Sequence, residues 1–573
     1  MGVPGFFAWL IKKYGKHENK HNVTNNIILH NIPERIDYFL IDTNGIIHPL
    51  CFKVRDENKT LTDLDELEDK MINEVISYLE NIIKLMNPSK GVYIAIDGVA
   101  PMAKIKHQRT RRFKSYVDKK ILDNIKKKYN KDMDDIYWNN SAITPGTVFM
   151  EKLHEALLTF CEYISKSLKL NIIYSSYLTP GEGEHKLLKY MNTNPEYVYS
   201  IYGLDADLIF LSFASKARNI YLTRDKIDND SEDILHIPIK SMKKKLSDTI
   251  LKTVSNIYTE TLKFDINNLI RDFVFICYFL GNDFLPHLVA INIHGSGLDS
   301  LLKAYITSII NVFNMHNNIS YLIEDDYNIN EEILKVFINE LSLNEDSMIK
   351  NNAMHRTLHK EYEKNTYEYE LNKLENLLFK FNDPIKLGSD SYDNYRKRYY
   401  AYYCNATTDS EIEKYAKKTV KEYIIGLQWT LKYYFIDCPS WKWHYPYIHA
   451  PFINDIKLYM PLNINDIDFK LSKPVLPFIQ LMLVLPKQSS YLLPKVIKKE
   501  ITDKKSQLTH LYPTHIVQDF INKKKYWMAV PILPTINLKL IKQIYTTIKD
   551  KLHTSDIIRN RTVDIYNFYC NKV

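Results

Sequence analysis

Apolar residues in the first half of the chain fall into two alternating patterns. Short continuous runs, rich in β-branched and aromatic residues, occur at 37–42 (DYFLID), 91–97 (GVYIAID), 171–177 (NIIYSSY), 197–203 (YVYSIYG) and 219–224 (NIYLTR). They do not alternate apolar with polar, so they read as strands buried on both faces. Between them apolar positions recur at helical spacing, as in 65–86 (DELEDKMINEVISYLENIIKLM) and 149–168 (FMEKLHEALLTFCEYISKSL). Strand and helix in alternation predict an α/β domain with a mainly parallel central sheet flanked by helices. From about 325 to 375 the pattern turns acidic and helical, and beyond 385 it becomes aromatic and proline-rich. The expected organisation is an α/β domain over 1–325, a helical connector over 326–384, and a largely helical and irregular second region over 385–573 packed on the first.

Seven carboxylates stand in short motifs that end or follow these runs: Asp42 in FLIDTNG, Asp97 in YIAIDGVAP, Glu182 and Glu184 in PGEGEH, Asp205 and Asp207 in YGLDADL, and Asp283 in LGNDFLP. Sites in open α/β sheets form in the crevice at the carboxyl ends of the strands, where residues distant in sequence converge. Any one of these acids reads equally well as a helix cap or turn residue. Together they do not. Two acids two residues apart beside Pro180 and two glycines point into one cavity, and Asp205 and Asp207 repeat the spacing. Hard oxygen ligands suit Mg²⁺, with Mn²⁺ as a substitute. A pair of ions ~3.5–4 Å apart would offset the mutual repulsion and serve in-line phosphodiester cleavage.

The run KIKHQRTRRFKSYVDKKI places Lys104, Gln108, Arg111 and Arg112 at i, i+4, i+7 and i+8, one face of a helix that begins a few residues after Asp97. A charge run is usually a solvated face. Beside the acids it suits a terminal phosphate, which carries about −1.5 to −2 charge. Among the aromatics, His48, Trp441 and Trp443 offer rings for base stacking, although core packing is the better reading of a Trp in a proline-rich segment. Spacing does not choose between the two tryptophans.

Composition changes this picture little. The chain has 573 residues, 25% charged and 45% hydrophobic, with a net charge of +8, which is weak support for a nucleic-acid partner. The 42 tyrosines read as the mark of an A+T-rich genome. The six cysteines form no CxxC pair and no zinc spacing, and several lie in apolar runs, so buried free thiols in a reducing compartment are expected. The start MGVPGFFAWL lacks the cationic n-region and cleavage site of a signal peptide, and Phe6 stands where a myristoylated Gly2 would need Ser or Thr.

With these residues in hand, the chain resembles the Xrn-type 5′→3′ exoribonucleases. MGVPGFFAWL, FLIDTNGIIH, AIDGVAPMAKIKHQRTRRF, ITPGTVFM, PGEGEHK, YGLDADLIFL and CYFLGNDFLPHL are similar to the family's first conserved region. YIIGLQWTLKYYF, PSWKWHYPYIHAPF and KPVLPFIQLMLVLP are similar to its second. The resemblance implies a PIN/flap-nuclease-like core and a processive, magnesium-dependent enzyme that degrades single-stranded 5′-monophosphorylated RNA to mononucleotides. It implies that the seven acids hold two metal ions, and that Lys104, Gln108, Arg111 and Arg112 form the 5′-phosphate pocket. His48 would stack on the first base with a Trp of PSWKW, Trp443 ahead of Trp441. The long extension of the cytoplasmic members does not follow, a compact build suited to a virus or a reduced genome. A monomer working inside the cell, in the cytoplasm rather than the nucleus, is the expectation.

Two other readings compete. A flap-type, structure-specific DNA nuclease would share the sheet and the acids, but LPHLVAINIHGSGLDSLL only faintly resembles the helix–hairpin–helix such an enzyme wants. A catalytically dead RNA-binding scaffold would have lost acids, and all seven are present.

Overall fold

The structure, a computed structural model, describes residues 5–14, 28–29, 31–131, 138–225, 234–258, 262–293, 297–354, 362–378, 382–461 and 463–569. Gly2, Cys570 and residues 294–296 of the hairpin-like run lie outside these. The five expected strands form: β1 (Tyr38–Asp42), β2 (Gly91–Ala95), β3 (Asn171–Ser175), β4 (Val198–Tyr202) and β5 (Asn219–Asp225). They pair in parallel in the order β5-β4-β1-β2-β3. Two antiparallel strands close the edges. β6 (Ile234–Pro238) lies against β5. After a separate ribbon of β7 (Gln518–Asp519) and β8 (Val530–Pro531), β9 (Tyr566–Phe568) lies against β3, with Tyr566 opposite Tyr174. The sequence does not announce either edge strand, because β6 (ILHIP) is only partly buried and interrupted by His236 and Pro238, and β9 has three partly exposed residues with no continuous apolar run.

Side chains alternate across the sheet and feed two cores. Phe39, Ile41, Val92, Ile94 and Ile172 face the helices Leu64–Met86 and Val148–Leu168. Leu40, Tyr93, Tyr199 and Ile201 face a larger core that includes the helices Asp207–Ala214, Ile266–Cys277 and Asp409–Phe435. The last of these belongs to the expected second region, and β9 joins the first region's sheet, so the division at 325 and 385 is crossed twice. Part of the span expected as a helical connector also packs in the core. The helix Glu331–Ser342 buries Ile333, Leu334, Phe337, Ile338 and Leu341 in the larger core, because its acidic residues occupy only the outward face.

A third core fixes the basic helix, Met102–Lys128. Its Met102, Ile105 and Phe113 pack with Phe478, Leu481 and Tyr512, each fully buried apolar side chain contributing ~1.5–3 kcal/mol. Arg109 points into this core, where its guanidinium donates to the carbonyls of Leu483 (2.7 Å) and Leu511. Five described cysteines are free thiols, all buried except Cys404, which is half-buried. Among the described residues no helix is long and apolar enough to cross a membrane.

Candidate active site

The strand order reverses between β1 and β4, so a crevice opens at their carboxyl ends. Asp42 is the last residue of β1 and Asp97 follows β2 by two positions. Asp205 and Asp207 follow β4, Asp207 as the first residue of a helix. Glu182 and Glu184 flank the start of the helix Gly183–Thr193. Asp283 follows the turn Tyr278–Leu280. A cavity of about 1140 Å³ lies over this edge. Asp42, Asp97, Glu182, Glu184 and Asp205 line it, while Asp207 and Asp283 stand buried outside its lining.

The geometry rejects a capping role for Glu182. Glu182 occupies the N-cap position, yet its side chain caps nothing. One oxygen meets the Lys104 ammonium and the other accepts the Tyr433 hydroxyl at 2.6 Å. Lys104 also pairs with Asp283 at 2.7 Å, so this one cation bridges two acids far apart in sequence. Asp97 accepts the Gly183 N–H at 2.6 Å and exchanges two hydrogen bonds of 3.1 Å with Asn44. Asp207 is fully buried, and its Oδ1 has no hydrogen-bond partner.

Crowding shows in the acidities. Burial, then the charges of Asp97 and Asp205, push Asp42 well above the usual carboxylate range. Burial and Glu182 raise Asp97. Burial and Asp207 raise Glu184, and burial and Asp205 raise Asp207 to about 7. Asp283 goes the other way: burial alone would raise it, but His107 and Lys104 beside it hold it well below. A cluster whose members disfavour one another's charge, with an orphaned buried oxygen among them, fits a divalent cation. Glu182, Glu184 and His185 present ligand atoms within 4.8 Å of one another.

The other predicted residues divide. Lys104, Gln108, Arg111 and Arg112 line the same cavity as the acids, and so does His48. Lys104 sits deepest and is engaged by carboxylates. Gln108 accepts from Gln480 at 3.3 Å. Arg112 has a buried guanidinium nitrogen with no hydrogen-bond partner, and burial with Arg111 alongside lowers it to about 10. Burial pushes His48 down to about 4, with Arg112 and Arg111 adding to the effect, so its ring is neutral at pH 7. The tryptophans are not among the residues lining the cavity. Trp443 packs on Trp429 at 5.2 Å, and the Trp441 carbonyl accepts the Met102 N–H at 3.0 Å, which ties the PSWKW loop to the start of the basic helix. Sequence reasoning missed Asn44, His107, His185 and Tyr433. Asn44 and His185 sit inside motifs already singled out, and His107 lies one turn from Lys104. Tyr433 also lies in a quoted motif, YIIGLQWTLKYYF, which marks it as buried but not as a partner of Glu182.

Acids and cations around one crevice of a mainly parallel sheet suit phosphodiester hydrolysis with a divalent cation, the chemistry of a nuclease. More particularly, residues 1–226 match the XRN 5′–3′ exonuclease N-terminus, residues 263–378 and 351–571 match the Xrn1 helical domain, and the chain belongs to the XRN 5′–3′ exonuclease family. It is similar to 5′-3′ exoribonuclease 2 of Debaryomyces hansenii, 28% identical over 99% of this chain and 72% of that protein. It is 29% identical to human 5′-3′ exoribonuclease 1 over 98% of this chain and 35% of that protein. Against 5′-3′ exoribonuclease 2 of Saccharomyces cerevisiae the figures are 26%, 94% and 74%.

Proposed function

We propose that this chain is a processive 5′→3′ exoribonuclease that hydrolyses 5′-monophosphorylated single-stranded RNA to mononucleotides with two Mg²⁺ ions. The class, a phosphodiester hydrolase acting on RNA from the 5′ end, is that of its family. The observation that carries the finer reading is that Gln108, Arg111 and Arg112 line one cavity with five carboxylates. A 5′-terminal phosphate held by Arg111 and Arg112 leaves the first phosphodiester facing the acids, so cleavage releases one nucleotide at a time. Arg112 brings a buried donor with no hydrogen-bond partner among the described residues, which a phosphate oxygen would satisfy.

Asp42, Asp97, Glu182, Glu184, Asp205, Asp207 and Asp283 are the residues that would hold the metal. Bound there, Mg²⁺ or Mn²⁺ supplies Lewis-acid charge to the phosphodiester and lowers the pKa of water. Lys104 holds Glu182 and Asp283 in place from the phosphate side. Helices starting at Met102, Gly183 and Asp207 direct their N-termini to this edge, adding partial positive charge. A neutral His48 in the cavity wall can stack on the first base. Trp443, ahead of Trp441, is the proposed partner from the PSWKW loop, which would have to bring that ring to a cavity it does not line in this structure. Free and mostly buried cysteines support a reducing compartment, and we propose a cytoplasmic monomer.

End-labelled RNA with a 5′ monophosphate, incubated with Mg²⁺, tests the reading. Mononucleotides without intermediates are expected, and none from Glu182→Gln, which should still bind RNA. Short oligonucleotides, or cleavage only at DNA flaps, would overturn it in favour of a flap-type nuclease. Binding without any cleavage would point to a scaffold.

A further inference from the structure

Four aromatic rings form a stacked column that runs from the PSWKW loop to the acid cluster. Trp443 stacks on Trp429 (5.2 Å between centroids, 27° between planes), Trp429 on Tyr433 (4.7 Å, 27°), and Tyr433 on His185 (3.8 Å, 29°). Phe284, next to Asp283, sets its ring at a steep angle against both Trp429 (5.0 Å) and Tyr433 (5.3 Å). Trp429 is itself pinned by its indole N–H, which donates to the Ser440 carbonyl at 3.0 Å. The Tyr433 ring therefore has neighbours on both faces and one edge and cannot swing away. Its hydroxyl ends the column on Glu182 Oε1, at 2.6 Å and fully buried.

We propose that Tyr433 is a positioning residue for the metal site: its hydroxyl fixes the rotamer of Glu182 so that the carboxylate faces the other acids. The proposal rests on the reading of Glu182 as a metal ligand. A glutamate has three rotatable bonds, and beside Asp97 and Glu184 its charge favours turning outward. Two contacts oppose that. Lys104 holds Oε2, but a lysine is a flexible point charge that answers to Asp283 as well. Tyr433 holds Oε1 with a rigid donor backed by the column. A hydrogen bond on one lone pair of Oε1 leaves the other lone pair for a cation, and it sets its direction. The arrangement also explains why a residue 251 positions away, on a helix of the second region, reaches the sheet's carboxyl edge at all. Both regions contribute to one carboxylate.

Tyr433→Phe tests this with the ring and the column kept and only the hydroxyl removed. The readout is metal affinity without RNA, measured as the midpoint of the Mn²⁺ dependence of Tm and by calorimetric titration of Mn²⁺. Removing a partner of a ligating carboxylate commonly weakens metal binding by about 10- to 100-fold, and a shift of that order is expected. RNA affinity in EDTA should not change, and kcat should fall with KM unaffected. Tyr400→Phe is the control. It removes another buried tyrosine hydroxyl from a buried carboxylate, Asp455 at 2.6 Å, far from the acids. It should lower the metal-free Tm and leave the Mn²⁺ midpoint alone. Trp429→Phe, which keeps the Tyr433 hydroxyl but shrinks the ring behind it, should shift the midpoint in the same direction by less, and it supplies the answer if Tyr433→Phe does not fold. A Mn²⁺ midpoint within twofold of wild type in the folded variants overturns the proposal, even if Tm falls, because that is a structural role only. Glu182→Gln separates the two levels. If it too leaves Mn²⁺ affinity intact, Glu182 is no ligand and the reading underneath has failed. If it weakens Mn²⁺ while Tyr433→Phe does not, only the positioning role has failed.

Discussion

Gly183 stands between Glu182 and Glu184, and a methyl group there should disable the enzyme without unfolding it. A Cβ built on Gly183 would lie 2.9 Å from Asp42 Oδ1, 3.3 Å from the Ala95 carbonyl and 3.4 Å from Asp97 Oδ1. Unstrained contact begins at 3.4 Å, so Asp42 and the Gly183 backbone must separate by about half an ångström. The backbone has little room to give, because the Gly183 N–H donates to Asp97 at 2.6 Å and Glu182 is held on both oxygens. Asp42 must therefore turn. Catalytic constellations tolerate about 0.5 Å of error, and a misplacement of 1 Å can cost about 100-fold. Gly183→Ala should accordingly lower kcat by roughly 10- to 100-fold, with RNA affinity and Tm close to wild type, since alanine suits a helix start. Single-turnover cleavage of labelled RNA at saturating Mg²⁺, with binding measured in EDTA, reads this directly. A variant that cleaves within twofold of wild type would refute the claim that Asp42, Asp97 and Gly183 form one tight unit.

Arg111→Ala with Arg112→Ala should cut the preference for 5′-monophosphate over 5′-hydroxyl RNA by about 100-fold or more in kcat/KM, as expected for the loss of two charged hydrogen bonds worth about 1.5–3 kcal/mol each. Competition between the two RNAs measures it, and undiminished discrimination would remove both residues from the pocket. Mg²⁺ should raise Tm by mass action, by about 2.7 kcal/mol of stability at 100 times its Kd, and calorimetric scans in EDTA and in Mg²⁺ would show it. Burial, with Arg561 adding to it, holds His154 down at about 4, whereas in the unfolded chain it titrates near 6.5. Between those values the unfolded chain binds the extra proton, so stability falls as pH drops from about 6.5 to 4, by up to about 1.4 kcal/mol per pH unit. His154→Phe should flatten that slope in urea midpoints taken at pH 7 and pH 5, and an unchanged slope would show that His154 is not kept neutral.

The parts of the fold that were legible in the sequence share a physical cause. β1, β2 and β4 are covered on both faces and β3 and β5 are covered over most of their length, so each needs a largely continuous apolar run, and such a run is visible. Asp42, Asp97, Asp205 and Asp207 were legible because the chain must leave such a strand in a short polar segment, and that is where they sit. Helical spacing groups Lys104, Gln108, Arg111 and Arg112 on one face, and all four line one cavity, while Arg109, omitted by that spacing, is buried against the carbonyls of Leu483 and Leu511. What stayed hidden depends on contacts between distant segments. Tyr433 lies in an apolar helix whose pattern says only that it is buried, not that its hydroxyl ends on Glu182. The acidic surface of Glu331–Ser342 masked an apolar face that joins the core. β9 is too short and too exposed to leave a periodic trace.

β9 has a consequence for the order in which the protein can be finished. Its partner β3 is made some 390 residues earlier, and at about 5–20 residues per second a ribosome needs roughly 20–80 s to cover that distance. During that interval the β3 edge offers unpaired backbone groups on a strand of a largely apolar sheet, the kind of edge that recruits strands from other chains. The basic helix waits as well, because the side chains that cover its apolar face, Phe478, Leu481 and Tyr512, also come late. The nascent α/β half thus carries most of its acids and its cations before the strand that covers its edge and the side chains that cover its basic helix are made.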